Sequence, residues 1–248
     1  MTYFITDIIV VCLAIFLGTL VLATAGFGIA IVSSPLLLIT LDPQSAVIII
    51  NTVSLIVFIM LIYQNKKFIN YKTMCLPTCF GLLAVPLGIY LFSNSDMSTL
   101  KILISILIIL MAVLLVYKIN LSFMQHPLTL WLSGFIVSTL ITVTGIGGPI
   151  IAIVVLHKSW DRNTIRGSLA FYYFFINLAA VIGYGISGML TFERITLSAV
   201  ALLPTVISFT IASLLIKKIA QNHYNKLIFV IIFVSGFVIL INEVRLLF

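Results

Sequence analysis

The stretch Thr144-Gly145-Ile146-Gly147-Gly148-Pro149 decides how this chain is read. It separates a long apolar run, about 130–143, from a short one, 150–156. A looser copy stands upstream as Thr24-Ala25-Gly26-Phe27-Gly28, followed by apolar residues 29–41. Subtracting 119 from the second copy superposes the two: Gly145 falls on Gly26, Gly147 on Gly28 and Asp161 on Asp42. The rest of the sequence arranges itself as two halves, 1–119 and 120–248, each built around one glycine break.

The composition says what solvent those halves meet. Of 248 residues, 62% are hydrophobic and 8% charged, against about 45–50% and about 25% in a soluble domain. Such a chain has too little polar surface to face water on all sides, so it reads as a polytopic, all-α membrane protein embedded in a lipid bilayer. Its apolar runs reach the roughly 18 residues expected of a spanning helix and lack the strict alternation of a membrane barrel. The net charge of +7 is no sign of nucleic acid, because the basic residues sit in short clusters between apolar runs, as in cytoplasmic loops. Cys12, Cys75 and Cys79 lie within apolar segments, and His126, His157 and His223 are scattered. Neither set has metal-ligand spacing, and no cofactor is expected. The start of the chain has no basic n-region and carries Asp7, so the first apolar run is expected to be a retained helix rather than a cleaved signal.

Ten apolar segments are expected, at about 5–24, 29–41, 44–63, 71–92, 99–118, 126–144, 149–157, 164–184, 195–216 and 225–242. The second and seventh are too short to cross a hydrocarbon core of about 30 Å at 1.5 Å per residue. If each merely prolongs the helix before it, the chain has eight spans. If each is a separate half-crossing there are ten, five per half, and the second half is inverted. The distribution of basic residues separates the two. With ten crossings and both termini outside, ten basic residues (Lys66, Lys67, Lys72, Lys118, Lys158, Arg162, Arg166, Lys217, Lys218 and Lys226) face the cytoplasm, and three (Lys101, Arg194 and Arg245) face out. With eight spans, six of those ten move outside. The inverted arrangement is therefore expected, in a plasma (inner) membrane. Paired short helices in inverted repeats are a recurring plan of secondary transporters.

Backbone that leaves a helix at membrane depth must be buried in protein or line a wet cavity. The short helices that follow the breaks have free N–H groups and partial positive charge at their N-termini, and Pro149 suits a first helical position. Two such termini facing each other would hold a small anion without a buried lysine or arginine. The candidate substrate-binding residues are Gly26, Gly28, Ser33, Ser34, Asn51, Thr144, Gly145, Gly147, Gly148 and Asn177, with Arg166 as a possible gate or guide. Each has a plainer reading. Small residues also permit close helix packing, the asparagines also serve interhelical hydrogen bonds, and Arg166 also snorkels to the interface. Tyr172 and Tyr173 read as packing or lumen lining. All six acids fall in loops or near segment ends. The mid-membrane carboxylate common in proton-coupled carriers is not among them, which favours downhill movement of an anion.

These residues resemble those of the sulfite exporter TauE/SafE-type membrane permeases. The second half fits well, with Gly145, Gly147, Gly148 and Pro149 followed by Arg166 and Gly167. In the first half Pro35 and the Asp42-Pro43 turn match, but Ile29 and Ala30 stand where further glycines are usual. The resemblance implies a permease for small anions such as sulfite, organosulfonates, thiosulfate-like compounds or carboxylated relatives. Two rivals stay open. One is a non-transporting membrane scaffold or assembly factor. The other is an intramembrane enzyme, for which only His157, Ser159 and Asp161 lie close in sequence.

Overall fold

The computed structural model describes residues 5–117, 127–156 and 160–215, and every regular element among them is helical. In chain order these are α1 (Ile5–Ala25), α2 (Ile29–Leu37), α3 (Pro43–Asn65), α4 (Tyr71–Asn94), α5 (Met97–Tyr117), α6 (Pro127–Thr144), α7 (Gly148–Leu156), α8 (Arg162–Ile186), α9 (Phe192–Val200) and α10 (Leu202–Leu215). Among the described residues, five stretches are long and apolar enough to cross a membrane: 5–24, 43–65, 71–94, 162–186 and 192–214. The expected segment 225–242, both chain ends, and Lys118, His157, Lys158, Ser159, Lys217, Lys218 and Lys226 lie outside the described residues.

The offset of 119 extends to the helix boundaries. Both α1 and α6 stop 119 residues apart, α2 and α7 start and stop 119 apart, and α3 and α8 start 119 apart. The chemistry at the last boundary is duplicated too. Asp42 accepts from the Ser45 backbone N–H at 2.9 Å and from its hydroxyl at 2.6 Å. Asp161 accepts from the Thr164 backbone at 3.0 Å and hydroxyl at 2.7 Å, and Thr164 is the counterpart of Ser45. Each aspartate thereby satisfies N–H groups that a helix start leaves unpaired. The Thr164 hydroxyl, with the backbone N–H groups of Thr164 and Asn163, holds the Asp161 carboxyl below the ordinary carboxylate range.

The short helices come out at nine residues each, about 14 Å at 1.5 Å per residue, so neither reaches across a bilayer. One boundary differs from expectation. The single segment expected at 195–216 is two helices, α9 and α10, meeting at Ala201. Pro204 lacks an N–H and crowds the carbonyl four residues back, which is enough to break the helix there. Pro77 and Pro86 inside α4 leave that helix continuous.

Packing is reciprocal between the halves. The most extensive contacts are α4 on α6 and α3 on α8, followed by α1 on α2 and on α10. Under the offset, α6 corresponds to α1 and α10 to part of α4, so α1 on α10 is the counterpart of α6 on α4. The centre is α3, where Ala46, Val47, Ile48, Ile49 and Ile50 are fully buried. The outer helices expose leucine, isoleucine and phenylalanine, including Leu83, Ile186, Phe192 and Leu214, as a surface facing lipid does.

Close approach of α4 and α6 depends on small residues. A methyl group on Gly134 would lie 2.5 Å from the Pro77 carbonyl oxygen, and one on Gly88 would lie 2.6 Å from Thr142 Cβ. Both distances are well inside van der Waals contact. Helices in lipid gain most from such packing because no hydrophobic force pushes them together. Gly134→Val is predicted to force the pair apart and to destabilise the protein by about 1–3 kcal/mol, the usual cost of overpacking. The drop would be read as a lowered melting temperature in detergent, and an unchanged melt would contradict this contact.

Candidate substrate site

Each break has a local cause. α1 closes when the Gly26 N–H donates to Leu22 O at 2.7 Å, and α6 closes when Gly145 donates to Ile141 O at 2.8 Å. Gly26 and Gly145 then turn the chain at φ +88° and +72°, in the left-handed region that glycine enters without penalty. In the first break a second left-handed residue, Gly28 at φ +99°, precedes α2, and no side chain caps that helix. In the second break the Thr144 hydroxyl spans the gap, donating to Leu140 O at 2.8 Å and accepting from the Ile146 N–H at 3.2 Å.

The two breaks meet. A methyl on Gly148 would lie 2.9 Å from Phe27 Cβ and 3.4 Å from the Gly28 nitrogen, and one on Gly145 would lie 3.4 Å from Ala30 Cβ and 3.7 Å from Asn51 Oδ1. Between them lies a cavity of about 30 Å³, room for about two waters at roughly 10–15 Å³ each. Most of its wall comes in counterpart pairs at the 119 offset: Leu22 with Ile141, Phe27 with Ile146, Gly28 with Gly147, Ile29 with Gly148, Ser54 with Tyr173, and Phe58 with Asn177. Both short helices thus present their first turns to one small space.

The polar side chains around it are held to different degrees. Asn51 donates through Nδ2 to Ile141 O at 3.1 Å and to Tyr184 Oη at 2.9 Å. The Tyr184 hydroxyl in turn donates to Thr142 O. This amide therefore ties α3 to α6 and α8 beside the second break. Tyr173 donates to Gly148 O at 2.7 Å and steadies the start of α7. Asn177 donates only to Tyr173 O, one turn back on its own helix.

Of the residues singled out from sequence, Gly28, Asn51, Gly145, Gly147, Gly148 and Asn177 line this cavity. The others lie outside its walls. Gly26 packs on Arg166, with only 3.2 Å between a would-be methyl and Arg166 Cγ. Ser33 donates to Ala14 O at 2.8 Å and sits under Gly18, so it joins α2 to α1. Ser34 is buried with its hydroxyl unpartnered, and Thr144 bridges the second break. Arg166 does not snorkel outward. It is 4% exposed and donates to Ala23 O at the end of α1. Ser54, Phe27 and Phe58 were not singled out. The offset would have found Ser54 and Phe58, because they are the counterparts of Tyr173 and Asn177.

Two glycine-broken segments around one partly open cavity, set among long apolar helices, are the architecture of a polytopic helical membrane protein. The model of the family described as Sulfite exporter TauE/SafE matches residues 11–239, and the chain belongs to that family. No curated protein and no solved structure matches it.

The hydrogen bonds separate the two cavity asparagines. Asn51→Ala is predicted to cost about 1–3 kcal/mol, because it removes two buried hydrogen bonds between helices, to Ile141 O and Tyr184 Oη. Asn177→Ala, which loses only a bond within its own helix, is predicted to cost less than about 1 kcal/mol. Thermal melts of the two purified variants check the order, and equal losses would contradict the network.

Proposed function

We propose that this protein is a secondary permease that carries small sulfur-containing or organic anions, sulfite and organosulfonates first among them, across the plasma (inner) membrane. The anion binds between the first turns of α2 and α7, near the middle of the bilayer. The halves 1–119 and 120–248 are inverted repeats that rock about this site, with both termini outside. The protein works without a cofactor and is not an enzyme.

One observation carries this reading: two uncrossing helices, each after a glycine break, point their first turns into one cavity whose wall is mostly made of counterpart residues. A helix start offers unpaired N–H groups and partial positive charge, so two of them complement a negative guest. At about 30 Å³ the cavity suits a compact group such as an oxyanion, and larger guests require the halves to part. Family membership supports the same class of cargo. The acids support uncoupled transport. Asp42 and Asp161 cap helices, Asp96 accepts from Thr99 at the start of α5, and Asp7 and Glu193 lie in first turns. Among the described residues none lies at mid-membrane, where a proton relay needs one. An inside-negative potential drives an anion outward by about 2.3 kcal/mol per charge per 100 mV, which suffices for export.

The test is sulfite flux in proteoliposomes, preceded by a thermal-shift panel of sulfite, sulfonates, thiosulfate, sulfate and short carboxylates. A ligand that binds only the folded protein raises its melting temperature. The wild-type protein is expected to move sulfite. Gly148→Leu, which fills the contact with Phe27 and Gly28, is expected to insert normally and to lose transport at least about tenfold. Full flux in folded Gly148→Leu would contradict the site.

A further inference from the structure

We propose that Arg162 and Arg166 form a second anion station at the end of α1, on one side of the cavity only, where the cargo is held before it reaches the two short helices. The station rests on the permease reading above and adds where and from which end the anion is captured.

Arg166 is the only charged residue that is buried among the described residues, at 4% exposure. Its Nη2 donates to Ala23 O and, at 3.4 Å, to Gln64 Oε1. Its Nε is buried and has no partner. One turn earlier the exposed Arg162 donates through Nη2 to Thr24 O at 3.3 Å. Ala23 and Thr24 belong to the last turn of α1, whose carbonyls have no partner within the helix. Cations at a helix C-terminus are a familiar structural device, and that device explains both of these bonds. It does not explain the charge. The end of a helix presents about half an elementary negative charge, two guanidiniums stand against it, and among the described residues no carboxylate pairs with either one. The ion pair found among the described residues is Arg194 with Asp42 at 3.6 Å, elsewhere in the molecule. A buried charge without a counter-ion is costly, and a buried N–H without an acceptor adds to that cost. A small oxyanion would relieve both. Its several oxygens match the planar, multiply donating guanidinium better than they would match a lysine.

The position suits a waiting site. Arg166, Tyr173 and Asn177 follow the spacing i, i+7, i+11, which is one face of α8, and the latter two line the cavity. The first half has no equivalent, because the counterpart of Arg166 at the offset of 119 is Val47, a fully buried apolar residue. Most of the cavity wall is paired, whereas its approach is charged at one end. Anions are therefore captured preferentially from the end where α8 begins.

The experiment measures initial rates of sulfite transport against sulfite concentration in proteoliposomes for wild type, Arg162→Gln, Arg166→Lys and Arg166→Gln, alongside sulfite thermal shifts. Arg162→Gln is expected to raise KM about two- to fivefold, as for an exposed charge, with kcat nearly unchanged. Arg166→Gln is expected to raise it about tenfold or more, as for a buried charge-assisted hydrogen bond, and Arg166→Lys to fall between. If Arg166→Gln does not fold, Arg162→Gln and Arg166→Lys decide. Unchanged KM in those two, with wild-type transport intact, overturns the station and leaves the permease standing. A wild-type protein that neither binds nor moves sulfite overturns both.

Discussion

Peptide groups in hydrocarbon must find hydrogen-bond partners, and that constraint shapes the whole protein. A helix satisfies it everywhere except at its ends. This chain places four helix ends, those of α1, α2, α6 and α7, inside the protein rather than at its surface. They are tolerable only where glycine turns the backbone tightly, where side chains such as Thr144, Arg162 and Arg166 take up stray donors and acceptors, and where the remaining first-turn N–H groups share a polar cavity. The central place of α3 and α8 follows, since these two long helices screen the breaks from lipid and bring Asn51, Ser54, Tyr173 and Asn177 to their edge.

The two breaks obey that constraint differently. Gly145 and Gly26 share the left-handed turn. The second break has a threonine hydroxyl to bridge it where the first has Ala25, and the first leans instead on the arginines of α8. Gly147 and Gly148 are glycines for reasons of space. A methyl on Gly147 would lie 3.0 Å from the Val137 carbonyl oxygen, and one on Gly148 would strike Phe27. In the first half Ile29 and Ala30 take this region, line the cavity and receive the second break, with Ala30 Cβ 3.4 Å from a would-be methyl on Gly145. The second break is the glycine-dense wedge, and the first is the surface that receives it.

Much of the fold was legible in the sequence because apolar runs, glycine breaks and the offset of 119 are local signals. They located seven of the ten described helices to within a few residues, and α2 to a nine-residue core of an apolar run that continues as a turn. The division of α9 from α10 escaped notice because Pro86 and Pro204 look alike in sequence, yet only Pro204 breaks its helix. The cavity was half legible. Gly28, Gly147 and Gly148 announce themselves, since nothing but glycine suits a break pressed against another. Ser33, Ser34 and Thr144 lie outside the cavity walls, a distinction sequence does not show, because a hydroxyl beside a break looks the same whether it faces a cavity, bonds a neighbouring helix as Ser33 does, or bridges the break as Thr144 does. Tyr184 was invisible, because its partner Asn51 is 133 residues away and only tertiary packing joins them. Arg166 was placed near the interface by its position in α8, and its burial depends on the end of α1 lying across it.

The central claim is that the halves are inverted, so that the turn after α2 and the start of α8 open on opposite sides of the membrane. Both sites are exposed at Thr40 and Asn163. In a chain with Cys12, Cys75 and Cys79 replaced by alanine, Thr40→Cys and Asn163→Cys can each be tested with a membrane-impermeant thiol reagent on sealed, oriented vesicles. Labelling of the two from opposite faces is the predicted result; labelling of both from the same face would contradict the inverted arrangement.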